Sequence, residues 1–204
     1  MQLLPTKDDV EGILRETGAL RTGHFVYPDG LHSNEYLQVP LAMRYYQHAR
    51  TLSVGLSRLL RANPEIRAII PQLSIVCPAT GGLPVAYGVC EALRAHRVYW
   101  AEEDKSNRAL HFRQFIEPVP GEPVVLVDDI LRSGEKLTSM LTLLSSWGAN
   151  VVAIATVVCQ PTPRTRSFEG IPVYHLAKFE ANIVSAGENC EQCRAGEPAV
   201  KVWV

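Results

Sequence analysis

The chain has no excess charge of either sign: 20 lysines and arginines face 21 aspartates and glutamates, a formal −1 over 204 residues. That balance argues against a general nucleic-acid binder, which carries a basic surplus or stripe. A phosphate-bearing ligand would have to be held by local placement of charge and backbone N–H groups. No run of residues approaches the roughly 18 uninterrupted apolar positions of a membrane helix, and the start, MQLLPTKDD, turns polar at once, unlike a signal peptide. Internal repeats, low-complexity linkers, a Gly-x-Ser-x-Gly elbow and a Walker-type Gly-Lys-Ser/Thr are all absent, and the six histidines show no metal-ligand spacing. Cysteine is sparse and odd in number. Cys77, Cys90 and Cys159 lie in apolar runs, with Cys190 and Cys193 near the end. Such usage reads as reduced thiols of a soluble, cytoplasmic protein with no membrane and no nucleic-acid partner.

What is present is the material of one α/β domain: 47% hydrophobic and 20% charged residues. Thr6 caps a short helix over residues 6–17 with Val10, Ile13 and Leu14 as its apolar stripe. Residues 23–38 (GHFVYPDGLHSNEYLQ) read as two strands around a Pro28-Asp29-Gly30 turn, and residues 45–62 as a helix carrying Leu52, Leu56, Leu59 and Leu60. Strand and helix patterns then alternate. Strands are expected at 73–77, 98–101, 111–116, 124–127, 151–158 and 173–176, with helices from Gly82 to about Ala95 and from Ser133 to Trp147. This alternation predicts a central, mostly parallel sheet with helices on both faces.

The most informative stretch is VVLVDDILRSGEK, residues 124–136. An apolar strand runs into Asp128 and Asp129, then into a Ser133-Gly134 loop and an amphipathic helix. Ligands of parallel sheets bind beyond the carboxyl ends of the strands. A loop entering a helix N-terminus offers free N–H groups and the positive end of the dipole, which suits a phosphate. Two adjacent carboxylates suit the neighbouring hydroxyls of a ribose. The plainer alternative is an acid pair that only ends a strand.

The segment resembles the 5-phosphoribosyl-1-pyrophosphate (PRPP) signature of the type I phosphoribosyltransferases. Cys77-Pro78-Ala79-Thr80-Gly81-Gly82-Leu83-Pro84 is similar to that family's pyrophosphate loop, and the hairpin from Gly23 to Gln38 resembles the hood of its orotate branch. The resemblance implies one domain over residues 1–204, with a core at about 45–177 and a hood from about 1–40 plus the tail 178–204. It implies catalytic roles for Asp129, Asp128 and Lys105. PRPP would be held by Ala79, Thr80, Gly81, Lys105, Arg108, Asp128, Asp129, Ile130, Leu131, Arg132, Ser133, Gly134, Glu135 and Lys136. The base, or a nucleotide, would meet Tyr36, Leu37, Arg132 and Gln160. Mg²⁺ carried with PRPP and a homodimer are implied as well, since in that branch basic residues of a flexible loop, here 102–113, reach the neighbouring subunit's site.

Departures from the pattern keep the acceptor open. Where the orotate branch has a hairpin lysine and an arginine after the last long strand, this chain has Pro28 and Gln160, so orotate's carboxylate lacks a cation unless Arg164 or Arg166 folds back. Glu135 sits in the phosphate loop, where an inward carboxylate about 4 Å from a phosphate would cost roughly 4 kcal/mol at an effective dielectric near 20. Three readings follow: orotate phosphoribosyltransferase, the same reaction on another base such as uracil, or a non-catalytic PRPP-binding regulator. Cys190-Glu191-Gln192-Cys193 is half of a zinc site, wanting two ligands from His175, another cysteine or a second subunit. Some orotate-type relatives end similarly, and the segment is read here as that family tail, with no metal assigned.

Overall fold

The computed structural model describes residues 4–28, 30–114, 116–162, 164–180 and 183–202. In chain order the elements are α1 (Lys7–Glu16), β1 (Leu20–Val26), β2 (Leu31–Leu37), α2 (Pro40–Met43), α3 (Tyr46–Ala62), α4 (Pro64–Ile69), β3 (Ser74–Pro78), α5 (Gly82–Leu93), β4 (Arg97–Glu103), β5 (Leu110–Phe112), β6 (Pro123–Leu131), α6 (Glu135–Ser146), β7 (Asn150–Cys159), β8 (Val173–Lys178), β9 (Ile183–Ser185), α7 (Glu191–Arg194) and β10 (Val200–Lys201). Thr6 caps α1 through a box with Asp9, each satisfying the other's backbone N–H. Of the hairpin turn expected at Pro28-Asp29-Gly30, Asp29 lies outside the described residues.

The larger sheet has six strands in the order β5-β4-β3-β6-β7-β8. Its strands are parallel except β5, which returns antiparallel along β4. Period-two alternation separates the two faces. Ile75, Cys77, Val125 and Val127 face the core built by α1, α3 and α5, while Val76, Val124 and Leu126 face Leu137, Met140 and Leu144 of α6. A sheet covered on both sides explains why β6 and β7 read as unbroken apolar runs.

The hairpin and the tail build a second, four-stranded sheet, β10-β1-β2-β9. Its buried cluster is small: Phe25, Tyr27, Tyr36 and Val202. The tail strands β9 and β10 were invisible to periodicity because each pairs over only three and two residues.

Opposite the strands' carboxyl ends, Glu122 is buried beneath the sheet. It accepts hydrogen bonds from Ser74 Oγ, from Tyr99 Oη at 3.1 Å and from the Val119 N–H at 3.1 Å, with Arg97 Nε 3.3 Å away. Removing one member of such a network leaves the others unsatisfied. Glu122→Ala should therefore destabilise the fold by about 3 kcal/mol, seen as a lower urea midpoint. An unchanged midpoint would show that the network adds nothing.

Candidate active site

The site begins with a mismatch in strand length. Pairing between β3 and β6 ends at Val76↔Leu126, whereas pairing between β6 and β7 continues to Leu131↔Cys159. The strand predicted to stop at Val127 thus carries both acids within it, and on the β3 side Asp128 and Asp129 are left facing the turn that leads into α5. That turn closes tightly on them. A Cβ on Gly81 would lie 3.1 Å from the Asp129 carboxylate, and one on Gly82 would lie 2.9 Å from Cys77 Cβ and 3.2 Å from Asp128 Oδ1. The two glycines are needed for this close approach, since neither has a positive φ. The Ala79–Thr80 peptide bond is cis, and the Ala79 N–H is anchored to the Ala101 carbonyl of β4 at 2.7 Å.

A cleft of about 840 Å³ opens over these ends, within the size range of small-molecule sites. Ala79, Thr80 and Gly81 line one wall, Asp128 to Gly134 with Lys136 another, and Tyr36 and Leu37 come from the hood. Gly134, at φ 79°, turns the chain into α6, and the Glu135 N–H is accepted by Ser133 Oγ at 3.3 Å. Glu135 itself is exposed and absent from the cleft wall, while Lys136 lines it. The helix start sends the glutamate to solvent and the lysine to the site, so the expected repulsion does not arise.

Burial pushes the Asp128 carboxyl well above the usual carboxylate range, and the adjacent Asp129 charge adds to it. Burial raises Asp129 as well, partly opposed by its hydrogen bond with Asp128 and by the N–H of Ile130. Asp128 Oδ1 accepts the Asp129 N–H at 2.9 Å, and Asp129 Oδ1 accepts the Ile130 N–H at 2.9 Å.

The wall near Gln160 holds a cation that the hairpin and β7 lack. Arg132 lines the cleft, donates from Nε to Gln160 Oε1 at 3.0 Å and lies over the Tyr27 ring at 5.1 Å. Its Nη2 and Gln160 Nε2 are buried with no hydrogen-bond partner among the described residues. Gln160 therefore orients the arginine without lining the cleft itself. Arg164 and Arg166 are exposed and outside the cleft wall, because the Arg166 N–H is held by the Ser133 carbonyl at 2.9 Å and their loop braces the phosphate turn from behind.

Besides Glu135, two further expected PRPP contacts are not part of this chain's own cleft. The stretch 102–113, expected as a flexible loop, falls on the β4–β5 hairpin, paired from Ala101↔Phe112 to Glu103↔Leu110. Lys105 lies exposed in its tip, and Arg108 is bound to Glu103 at 2.8 Å. Phe115, at the end of the strand expected over 111–116, is outside the described residues. Wall residues that went unread are Gln38, Pro40, Leu41, Trp100, Glu102 and Glu103. The last three stand at the carboxyl end of a parallel strand, so the rule that pointed to Asp128 would have found them.

A family model described as phosphoribosyl transferase domain matches residues 46–184. An orotate phosphoribosyltransferase of Carboxydothermus hydrogenoformans is 32% identical over 95% of this chain and 95% of its own length. One of Thermotoga maritima is 28% identical over 94% and 96%. Among solved structures, an orotate phosphoribosyltransferase from Aeropyrum pernix superposes with a TM-score of 0.68 at 19% identity, covering 83% of this chain and 93% of that one.

The raised carboxyls imply a measurable sign. A carboxyl raised in the folded state opposes folding once pH climbs above its unfolded value near 3.9. Asp128→Asn keeps the acceptor oxygen and drops the charge. It should melt higher than the wild type at pH 8, by a few degrees for about 1 kcal/mol, with the gap shrinking toward pH 4. Thermal melts showing a lower melting temperature for Asp128→Asn at pH 8 would mean the buried charge is compensated within the protein.

Proposed function

The chain belongs to the phosphoribosyl transferase domain family, and from that premise we propose that it is an orotate phosphoribosyltransferase, moving the ribose 5-phosphate of PRPP onto a ring nitrogen of orotate with release of pyrophosphate. The observation that carries the choice of base is Arg132, a cleft-lining guanidinium with a buried, unpartnered N–H beside Gln160. Orotate is a planar ring bearing a carboxylate, and a buried carboxylate needs such a partner. A neutral base such as uracil would leave Arg132 unsatisfied, which penalises it.

Each part of PRPP has a place. The loop entering α6 offers N–H groups and a positive helix end to the 5-phosphate, with Lys136 on the same wall. The Ala79–Gly81 turn takes the pyrophosphate, and Asp128 and Asp129 accept the ribose hydroxyls. As the bond from the ribosyl carbon to pyrophosphate lengthens, positive charge gathers on the sugar, and the carboxylates fixed beside it favour that state over the neutral ground state. The carboxylate oxygens of the cleft also suit a hard divalent cation, so Mg²⁺ carried by PRPP fits here and would supply charge neutralisation for the leaving group. Glu102 and Glu103 at the cleft mouth are held by Arg113 and Arg108, which blunts their repulsion of phosphate.

Lys105 and Arg108, exposed and outside their own cleft, fit a role at the site of a second copy in a homodimer. Five free cysteines suit the reducing cytoplasm.

Arg132→Ala should lower kcat/KM for orotate about 100-fold, equivalent to about 3 kcal/mol for a desolvated ion pair, while PRPP affinity by calorimetry changes little. Gln160→Ala should cost less. If Arg132→Ala keeps full orotate activity and Arg164→Ala or Arg166→Ala removes it, the base site is misassigned. For the dimer, Lys105→Ala and Asp129→Asn chains, each inactive alone, should regain activity when mixed. Heterodimers that form and stay inactive would exclude Lys105 from the neighbour's site.

A further inference from the structure

One cluster of reactive side chains stands apart from the cleft. His24 of β1, His32 of β2, and Cys190 and Cys193 at α7 bring four ligand atoms within 4.8 Å of one another. The register Val26↔His32 makes the two imidazoles diagonal neighbours across the hairpin. The thiols arrive from a segment 166 residues away in sequence. His175, the partner considered for the cysteines on sequence grounds, is instead on β8 in the other sheet.

The distances are those of a metal centre. His24 Nε2 lies 3.6 Å from Cys190 Sγ and 3.5 Å from Cys193 Sγ, and His32 Nδ1 lies 3.3 Å from Cys193 Sγ. An ion bonded tetrahedrally to nitrogen at about 2.0 Å and sulfur at about 2.3 Å holds such atoms about 3.5 Å apart. The two imidazole nitrogens, 2.7 Å apart, would part by about 0.6 Å to reach the same geometry. The outer contacts agree. His24 Nδ1 is 2.9 Å from the Glu197 carbonyl oxygen, which can only accept. The ring proton therefore sits on Nδ1, and Nε2 turns its lone pair into the cluster, the arrangement that orients ligating histidines. His24, His32 and Cys190 are buried, so water does not compete freely for these atoms.

We propose that His24, His32, Cys190 and Cys193 form a structural zinc site that fastens the C-terminal segment to the hairpin. Two nitrogens and two sulfurs in tetrahedral array select zinc over the hard cations that prefer oxygen. Four protein ligands leave no open position, so the ion is structural and separate from Mg²⁺ at the cleft. The hood also needs it. Leu20 and Leu37 anchor the base of the hairpin in the main core, but its outer part has a buried cluster of only four apolar residues and the tail strands pair over three and two, and small units of this kind are commonly stapled by metals.

The test uses the untagged full chain, purified under reducing conditions with added zinc chloride and then dialysed. Elemental mass spectrometry should find about one zinc per chain. The Cys190→Ser/Cys193→Ser double variant should lose it. Because that variant risks misfolding, cobalt(II) is loaded into the wild type after removal of zinc by a chelator. The intense visible bands of tetrahedral cobalt with thiolate-to-metal charge transfer are expected, and His24→Ala should weaken them. Chelation should lower the melting temperature, and zinc chloride alone should restore it. Zinc at buffer level, octahedral cobalt spectra, or a Cys190–Cys193 disulfide in the freshly purified reduced protein would each overturn the proposal.

Discussion

Two neighbouring carboxylates, Asp128 buried and Asp129 half-buried beside it, are the constraint on which the rest of the site depends. Both hold their places because β7 carries β6 past the end of β3 and because Gly81 and Gly82 let the facing turn close on them. Their partners within the protein are backbone N–H groups and the distant influence of Lys136, which do not bring the pair back to the ordinary carboxylate range. The unliganded fold therefore carries an electrostatic cost at its centre, the common trade of stability for function. Ribose hydroxyls and developing positive charge are what would offset that cost.

The surrounding architecture spreads its stability unevenly around this point. Both faces of the six-stranded sheet are sealed by fully buried aliphatic side chains, and Glu122 ties the sheet's opposite end together. The hood is tied to that body at its base by Leu20 and Leu37, but its outer part has no comparable core. A region with few buried apolar contacts opens more readily than the body it rests on. Tyr36 of the cleft belongs to that outer part, so the wall it forms depends on what secures a weakly packed sheet. The proposed zinc staple acts at this weak place.

Much of this was legible in the sequence, for physical reasons that also mark the limits. Apolar runs found β3, β6 and β7 because strands buried on both faces cannot hide their composition, and a Ser-Gly pair after two acids found the turn into α6 because glycine is what a positive φ there requires. The direction of Glu135 was not legible, since it depends on where Gly134 turns the chain into α6. The His24 and His32 pair escaped because ligand spacing was sought along the chain, whereas the hairpin register brings them together across it. An eight-residue separation straddling a predicted turn was the available signal. The loop expected at 102–113 came from the resemblance, and the short pairing inside it was not legible: β4 and β5 match over only three residues, and Glu102 with Arg113 and Glu103 with Arg108 join the strand to its return and tip.

The missing arginine after β7 has a structural resolution that bears on how base and sugar phosphate are read together. Gln160 occupies the position after that strand, but its amide oxygen holds Arg132, which comes from the β6–α6 loop. The same loop runs on through Ser133 and Gly134 into the start of α6, the proposed phosphate seat. A guanidinium carried on this loop, braced by Tyr27 below it, cannot shift without moving the phosphate turn, because the Thr165 hydroxyl and the Arg166 N–H hold the carbonyls of Arg132 and Ser133. An arginine on β7 would recognise the base independently of the sugar phosphate. Placed here, it makes the two recognitions parts of one rigid element. On the proposed assignment, the seat of the 5-phosphate and the group that would receive the base's carboxylate are therefore set by one loop.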